Sequence, residues 1–470
     1  MAPGSRYQID MCHGPLFSKV LLFSIPLMIS NVMQVLFNAI DLAVIGRFAS
    51  SDSMAAVGTC GPLITLFLSF FFGLSAGTNV VVARCIGARN KKQTSQAVHT
   101  AVALAVAGGL LLAAGGVWAS RSILTLMGTP AHVLPKAVLY IQLYCVGAPL
   151  VLVYNYGAAV LRATGDTRRP MIFLLISGVI KVIVNLILVS CFDMDVAGVS
   201  VATIVANIIA AVLVIGALTG ARDSSRLFLN KVRFHSRSFG EILKIGVPAG
   251  IQSSLFGLSN VVIQSAVNSF GSDAMAGNAA GISLEGIVYV AGNAFYFATI
   301  SFVGQNCGAG KYKRLLKSFI YCLICAAATA TILGWSICFA GRPLLYLYNP
   351  DPVVIEWGML RLKYLLIPYM LCSSMDIFSG GLRGLGHSFK PMFVTLMGAC
   401  AFRVAWVWWV LPLHRSMETL FISYPVSWVL VTGVNGLIFY VVLRRLFDQA
   451  AHHVPKGSAP PRPLMGKASR

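Results

Sequence analysis

Charged residues are scarce in this sequence, and acidic ones most of all. Only 15 of its 470 residues are Asp or Glu, and Asp, Glu, Lys and Arg together make up 11%. Soluble domains carry about 25% charged residues, so a soluble globular protein is excluded. A hydrophobic content of 57% and a mean hydropathy of +0.79 exclude a disordered chain. These values indicate an integral membrane protein.

The sequence also lacks a disulfide framework and a complete catalytic motif. Its eleven cysteines are odd in number and mostly lie within apolar runs. The segment from Gly73 to Gly77 has the spacing of a nucleophile elbow, and Cys322 and Cys325 have redox spacing, yet all of them lie inside predicted helices. Small residues for close helix packing explain the first motif better. We therefore predict that the protein is not an enzyme and holds no cofactor or metal.

Twelve apolar windows are each long enough to cross a bilayer, which takes about 20 helical residues. The tenth is the weakest, because charged residues crowd its start. The predicted spans are 20–46, 54–82, 98–119, 137–160, 171–191, 196–219, 245–268, 275–302, 318–340, 364–381, 392–411 and 419–443.

The basic residues are distributed unequally between the two sides of the membrane. Of the 36 Lys and Arg residues, 27 lie in the termini and the even-numbered loops. The positive-inside rule predicts that this side is cytoplasmic. We therefore expect a multi-pass protein of the plasma membrane, the inner membrane of a bacterial cell, with both termini in the cytoplasm. The net charge of +21 is then explained by contact with anionic lipid, and no nucleic-acid partner is expected.

The two halves of the sequence resemble each other at an offset of about 221 residues. The clearest match pairs Leu161–Met171 with Leu382–Met392, and Asn38 matches Asn260. Each half has six predicted spans, so both halves begin on the same side of the membrane. Such a parallel repeat is related by a pseudo-twofold axis along the membrane normal, with a cleft between two bundles.

The predicted fold is therefore an all-α integral membrane protein whose twelve transmembrane helices form two pseudo-twofold-related six-helix bundles. The predicted divisions are a cytoplasmic N-terminus (1–16), an N-lobe (17–219), a cytoplasmic linker (220–240), a C-lobe (241–447) and a disordered cytoplasmic tail (448–470).

Among the charged residues within the predicted spans, Asp41 is the strongest functional candidate. A charged side chain at the bilayer centre costs about 2.5–3.5 kcal/mol on insertion scales, so such residues are functional candidates by default. Asn38 and Gln34 precede Asp41 on one helix face, which can carry a proton or bind a small cation. The alternative is a carboxylate at the outer interface that pairs with Arg47.

Four further charged residues lie in the spans. Glu285 is near the middle of the membrane, where it either acts in transport or pairs with Lys181 or Arg403. Asp376 has a transport role, reaches the interface, or pairs with Arg383. We expect Arg403 to be the counter-ion of one of these acids, and Lys181 either to do the same in the first half or to extend to the interface.

Neutral polar residues complete the set of candidates. Asn185 in the fifth span, and Thr203 and Asn207 in the sixth, either face the cleft or only hold helices together. The other predicted cleft residues are Asn155, Gln252 and Asn260.

In their order along the chain, several motifs resemble those of the MATE (multidrug and toxin extrusion) family, in a prokaryotic branch. The resemblance covers about residues 10–447. It is carried by Ser24-Ile-Pro26, Asn38-Ala-Ile-Asp41, Gly73-Leu-Ser-Ala-Gly77, Leu161-Arg162-Ala-Thr-Gly165, Val184-Asn185, Ala202-Thr203, Leu382-Arg383-Gly384-Leu-Gly386 and Tyr424-Pro425-Val-Ser-Trp428.

The resemblance implies two six-helix lobes, outward drug transport and inward flow of protons or sodium. It also implies that Asp41 carries the cation, supported by Asn38, Asn185 and Thr203. Three departures from the family pattern stand out. Val189 replaces a second N-lobe Asp, Phe256 replaces an acid of the seventh span, and Asp376 is out of register with an acid of the tenth.

From these observations we expect a secondary active antiporter that exports organic, cationic and amphipathic compounds. Its partners would be a small organic substrate, a proton or sodium ion and the lipid bilayer, and we expect a monomer. A flippase for a lipid-linked precursor is the alternative within transport, although such a cavity needs more basic residues than Lys181 and Arg403. A polytopic membrane enzyme, a channel and a receptor fit the duplicated pattern less well.

Overall fold

The computed structural model describes residues 7–48, 51–192 and 194–452. Within these ranges the chain is helical and contains no β-strand. The first half contains α1 (Leu16–Phe48), α2 (Ser51–Gly87), α3 (Lys91–Leu126), α4 (Leu134–Ala163), α5 (Arg168–Ser190) and α6 (Asp195–Thr219). The second half contains α7 (Ser236–Asn268), α8 (Ser272–Gly308), α9 (Tyr312–Phe339), α10 (Gly341–Tyr346), α11 (Pro352–Leu366), α12 (Tyr369–Gly384), α13 (Phe389–Thr395), α14 (Phe402–Trp409) and α15 (Met417–His452).

The helices confirm the all-α, twelve-span prediction. Eleven helical segments of the described chain are long and apolar enough to cross a membrane, and the bent pair α11 and α12 supplies the twelfth span. The predicted start of the tenth span at residue 364 was wrong, because that span begins at Pro352 and bends by 47° between its two helices. Pro368 stands at the bend, where its ring cannot continue a regular helix.

The last helix also extends further than predicted. Because α15 continues to His452, residues 448–452 of the predicted disordered tail are helical. The rest of that predicted tail, 453–470, lies outside the described residues.

The loops that join the helices lie at two ends of the bundle. We call one end the terminal face, defined by the chain around residues 7–15, 87–91, 163–168, 219–236, 308–312 and 384–389. The other end, with the α1–α2, α3–α4, α5–α6 and α7–α8 junctions, is the opposite face.

The apolar core shows where the two halves meet. Two clusters near the terminal face contain residues from both halves: one joins α2, α3 and α4 to α7 and α8, and the other joins the start of α1 to α8 and α9. The clusters formed by described residues towards the opposite face each belong to one half. The halves are therefore packed together at the terminal face, whereas no apolar cluster of the described residues joins them towards the opposite face.

Glycines allow this close packing at the terminal face. A Cβ on Gly73 would lie 2.2 Å from the backbone nitrogen of Gly250, and a Cβ on Gly77 would lie 2.6 Å from the carbonyl oxygen of Ile242. Since real Cβ atoms do not approach backbone so closely, α2 and α7 meet only because these positions lack side chains. The close-packing prediction for the Gly73–Gly77 motif is confirmed.

Candidate functional site

The first polar cluster joins α1 to α5. Asn185 donates through Nδ2 to Oδ1 of Asp41 at 3.0 Å, and the ammonium of Lys181 forms an ion pair with Oδ2 of the same carboxylate. The side chains of Asp41 and Lys181 are 12% and 13% exposed, so the ion pair is largely buried but keeps some solvent access. We refer to Asp41, Lys181 and Asn185 as the α1–α5 triad.

Local sequence explains how the triad forms. Lys181 and Asn185 are four residues apart, which places them on one face of α5. One turn earlier, Gly178 leaves room for the ring of Phe37, whose Cε2 would lie 1.9 Å from a Cβ at that glycine. The contact lets α1 approach α5 closely enough for Asp41 to reach both polar partners.

The predicted partners of Asp41 are only partly right. Pairing with Arg47 was wrong, because the carboxylate pairs with Lys181 instead. Asn38 and Gln34 are exposed and make no side-chain hydrogen bond within the described chain. Thr203 donates to the carbonyl oxygen of Val199 in its own helix at 2.9 Å. The structure therefore brings Asn185 to Asp41, and does not bring Asn38 or Thr203 into hydrogen-bond contact with it.

The second polar cluster joins α8 to α11. The guanidinium of Arg361 donates to Oε2 of Glu285 at 2.6 and 3.2 Å, and to Oδ1 of Asn278 at 2.7 Å. Arg361 is 5% exposed, and its guanidinium lies over the rings of Phe421 and Tyr424. Of the two alternatives for Glu285, the pair with Lys181 or Arg403 was wrong, because its partner is Arg361.

Arg361 is the main residue that sequence analysis missed. It was assigned to the loop before the tenth span, because its charge and that of Lys363 placed the start of the apolar window at residue 364. A buried charge is tolerated in a helix when an opposite charge neutralises it, as Glu285 does here. The sequence did contain one signal for this pair: Glu285 lies near the middle of its span without an assigned partner, and Arg361 borders another apolar window.

Arg403 has no acidic partner in the described structure, so its predicted role as a counter-ion was wrong. Its side chain is 1% exposed, donates through Nε to Oγ of Ser427 at 2.9 Å and lies 4.1 Å from the ring centroid of Tyr424. The ring centroid of Phe256 also lies 5.6 Å from this guanidinium. The Nη2 nitrogen of Arg403 is buried without a hydrogen-bond partner. Aromatic faces therefore stabilise this cation in place of a carboxylate.

Asp376 and Arg383 do not form the ion pair considered as one alternative. Within the described chain Asp376 forms no hydrogen bond or ion pair. Arg383 instead donates to the hydroxyl of Tyr296, and through Nη2 to Oε1 of Gln252 at 2.7 Å. Gln252 therefore serves to hold Arg383.

The remaining predicted cleft residues are separate from these clusters. Asn155 donates to the carbonyl oxygen of Val151 in its own helix at 2.8 Å. Asn207 and Asn260 form no side-chain hydrogen bond within the described residues, and Asn260 is exposed.

The two halves use equivalent positions differently. Arg403 lies twelve residues after Pro391 whereas Lys181 lies eleven after Pro170, and the π-helical turn Leu396–Ala401 accounts for the extra residue. Lys181 and Arg403 therefore occupy equivalent places. The equivalent of Asp41, at the offset of Asn38 and Asn260, is the buried Ile263. The first half thus has the ion pair of Asp41 and Lys181, whereas at the equivalent place the second half has Arg403 without an acidic partner among the described residues.

An apolar layer adjoins the α1–α5 triad. Val189 is 1% exposed and packs with Val44, Ile45, Val57, Val196 and Val199. Val189 brings no carboxylate to Asp41, whose polar contacts within the described residues are those to Lys181 and Asn185.

A short N-terminal segment crosses the terminal face, and sequence analysis did not anticipate it. We call residues 8–14 the strap. On the first half, the amide of Ile9 donates to the carbonyl oxygen of Gly165 at 3.1 Å, and Nε2 of Gln8 donates to Asp223 at 2.7 Å. On the second half, the guanidinium of Arg314 donates to three strap carbonyl oxygens, those of Met11, His13 and Gly14, at 2.8–3.0 Å. The strap thus ties both halves together where the cleft is closed.

Comparison with known proteins identifies one family. The MatE family model matches residues 26–187 and 248–409, one segment in each half. The probable multidrug resistance protein YpnP of Bacillus subtilis is 26% identical over 83% of this chain and 87% of its own. The FAD transporter of Shewanella oneidensis is 24% identical over 82% and 85%. A solved MOP superfamily transporter from Pyrococcus furiosus has the same fold, with a TM-score of 0.88 and 19% identity over 95% of this chain and 99% of its own.

Proposed function

The chain belongs to the MatE family, whose model spans more than half of it, and we propose that it is a secondary active exporter of amphipathic organic compounds driven by an inward proton flow. The single observation that carries this proposal is the α1–α5 triad: a carboxylate within a membrane-spanning helix, held by one cation and one amide, in a fold whose two halves are joined by apolar clusters near the terminal face. The names of two relatives, a probable multidrug resistance protein and a FAD transporter, support transport of organic molecules.

The groups around Asp41 favour a proton over sodium. A metal cation needs several oxygen ligands, whereas Asp41 receives an ammonium from Lys181 and an N–H from Asn185. Both groups are donors and occupy the carboxylate oxygens. A proton needs only one of those oxygens, and its arrival would leave Lys181 as an unpaired charge. That charge would change the packing of α1 against α5.

The proposed orientation places the terminal face in the cytoplasm, in agreement with the positive-inside rule. In this proposal, the cleft between the halves opens to the outside. Protonation of Asp41 from outside would release the substrate and weaken the contact of α1 with α5. Pro26 lies within α1 and lacks an amide hydrogen, so α1 can bend there without losing a normal hydrogen bond.

The driving force is sufficient for useful export. One charge that crosses a membrane potential of 100 mV releases about 2.3 kcal/mol. Because each 1.4 kcal/mol corresponds to a factor of about ten, one proton supports a gradient of about fortyfold to fiftyfold for a substrate without net charge. Exchange of one proton for one monovalent organic cation moves no net charge, so that exchange draws on the proton concentration gradient alone.

Two substrate classes follow from the charges. An organic cation fits Asp376, a carboxylate without an ion pair in the described chain. An organic anion is the second candidate, because Arg403 is buried with a nitrogen that lacks a hydrogen-bond partner, and because one relative carries the name of a FAD transporter.

Transport in everted membrane vesicles tests the proposal. A fluorescent lipophilic cation such as ethidium should accumulate when a proton gradient is imposed and should not respond to a sodium gradient. Asp41→Asn should abolish the response, whereas Asp273→Asn, which neutralises an exposed acid in the first turn of α8, should retain it. Undiminished proton-driven transport by Asp41→Asn would overturn the assignment. A fluorescent organic anion in the same vesicles decides between the substrate classes.

A further inference from the structure

A second cavity lies on the terminal face, away from the α1–α5 triad. It has a volume of about 470 Å³ and is lined by residues that include Arg84, Gln93, Arg237, Glu241, Lys244 and Gly386. Arg84 and Gln93 belong to the first half of the chain, and the others belong to the second. We call this cavity the seam pocket.

The charge of the seam pocket is positive. Arg84, Arg237 and Lys244 line it against a single carboxylate, that of Glu241. Glu241 lies 3.3 Å from Nε of Arg237, and both side chains are well exposed, so this ion pair is weak and screened. Two positive charges remain without a carboxylate from the pocket lining.

The loop next to the seam pocket contains a histidine whose pKa is affected by these positive charges. His387 follows Gly386 in the loop between α12 and α13. Burial, together with repulsion by Lys390, Arg84 and Lys244, lowers the pKa of His387. The repulsion by Arg84 and Lys244 agrees with the excess of basic residues in the pocket lining.

The internal repeat explains why a cavity is present at this junction between the halves. At the offset of 221, Arg84 is equivalent to Gln305, and Gly386 is equivalent to Gly165. The repeat thus gives two equivalent junctions between the halves, which we call seams. In the first seam, Gln305 donates to the carbonyl oxygen of Ala163 at 2.7 Å. The strap covers this seam, because the Sγ of Cys12 lies 3.9 Å from Gln305 and Ile9 lies against Gly165. In the second seam Arg84 lies against Gly386, where a Cβ would be 2.5 Å from Nη1, and a cavity remains.

We propose that the seam pocket binds a phosphate group and that this anion stabilises the closed terminal face. Arg84 offers a planar pair of N–H donors that match phosphate oxygens, and Lys244 adds a point charge. Because the donors come from both halves, an anion bound between them connects the halves, as the strap does at the other seam. If the terminal face opens, the two sets of donors separate and the site is lost.

The phosphate has two possible sources. The pocket lies at the ends of α2, α7 and α8, on the face that the positive-inside rule assigns to the cytoplasm. Head groups of anionic phospholipids at that surface attract basic residues. A small soluble phosphate compound presents the same oxygens. The recognising chemistry is shared, and the two sources differ only in whether an acyl chain is needed for binding.

Binding to the purified full chain in detergent tests this proposal through the midpoint of thermal unfolding. The probes are phosphatidylglycerol, phosphatidylcholine, glycerol phosphate and inorganic phosphate, each titrated separately. The site variant is Arg84→Gln with Lys244→Gln. The matched control is Lys313→Gln with Lys317→Gln, which removes two exposed charges in α9, near the same face but outside the pocket.

Phosphatidylglycerol should raise the unfolding midpoint of the wild type and of the control. Each basic residue near an anionic surface contributes about 1 kcal/mol, so the site variant should bind about thirtyfold more weakly. An equal effect of the phosphate compounds would identify a soluble anion as sufficient, and an effect of phosphatidylglycerol alone would identify a lipid head group.

Glu241→Gln removes the only carboxylate among the described residues that line the pocket and should tighten binding, which provides a test if the double variant does not fold. Equal responses of site and control variants, or no response of the wild type to any phosphate probe, would overturn the proposal.

Discussion

Asp41 in α1 and Lys181 in α5 form an ion pair across 140 positions of sequence, and Asn185 holds the carboxylate from the next turn of α5. The pair makes the candidate coupling site electrically neutral at rest. A proton on Asp41 would leave a net positive charge between two helices. This change of charge is the physical basis of the coupling proposed above.

A double-mutant cycle separates the coupling role of this pair from its packing role. Lys181→Met leaves the carboxylate largely buried and unpaired, which should destabilise the protein by about 3–5 kcal/mol. The double variant Asp41→Asn with Lys181→Met should recover most of that stability but not proton-driven transport. Stability is measured by thermal unfolding in detergent, and transport in everted vesicles. Transport that recovers together with stability would show that the pair serves packing alone.

Arg361 and Glu285 should behave differently, because their contacts to Asn278, Phe421 and Tyr424 fix α11 against α8 and α15. Arg361→Met alone should cost about 3–5 kcal/mol, since Glu285 would remain buried without its partner. The double variant Arg361→Met with Glu285→Gln should restore both stability and transport. Loss of proton-driven transport in a stable double variant would instead place this pair in the coupling mechanism.

Closure of the terminal face should depend on Gly73. Gly73→Ala places a Cβ against the backbone of Gly250, and overpacking of this kind costs about 1–3 kcal/mol. The closed terminal face should become about fivefold to more than a hundredfold less populated. Alkylation of a cysteine introduced at the terminal end of the cleft measures this population. Gly58→Ala is the control, because no atom lies within 4 Å of a Cβ at that position. Equal alkylation rates in the two variants would contradict the prediction.

The strap should be released by loss of Arg314. Arg314→Gln removes the charged donor of three hydrogen bonds to strap carbonyl oxygens, and each such bond contributes about 1.5–3 kcal/mol. Burial and the nearby Asp10 raise the pKa of the Cys12 thiol, so little thiolate exists at neutral pH while the strap is in place. Release should return the pKa towards its ordinary value and expose the thiol.

Maleimide labelling of a variant that retains Cys12 as its only cysteine measures this release. The labelling rate at pH 7 should rise at least about tenfold in Arg314→Gln. Lys317→Gln, one turn further along α9, should leave the rate unchanged. A rate in Arg314→Gln that matches the wild type would show that other contacts hold the strap.

The comparison of sequence with structure shows which predictions rest on local information. Membrane helices are specified by apolar length, so the positions of most spans could be read from the sequence. Small-residue spacing in the Gly73–Gly77 motif also predicted close helix packing correctly. The bent span α11 and α12 was misread at its start, because a local count of charge cannot include a neutralising partner such as Glu285.

The sequence by itself determined the helical membrane architecture and the duplication, and it singled out Asp41 as a candidate, because these depend on apolar length, on repeated motifs and on the high cost of a charge in lipid. Only the tertiary structure decided which charges meet. Lys181, rather than Arg47, pairs with Asp41, Arg361 pairs with Glu285, and Arg403 faces aromatic rings instead of an acid. The physical reason is that an ion pair between helices depends on their packing and rotation. Contacts between residues far apart in sequence set both, such as that of Gly178 with Phe37.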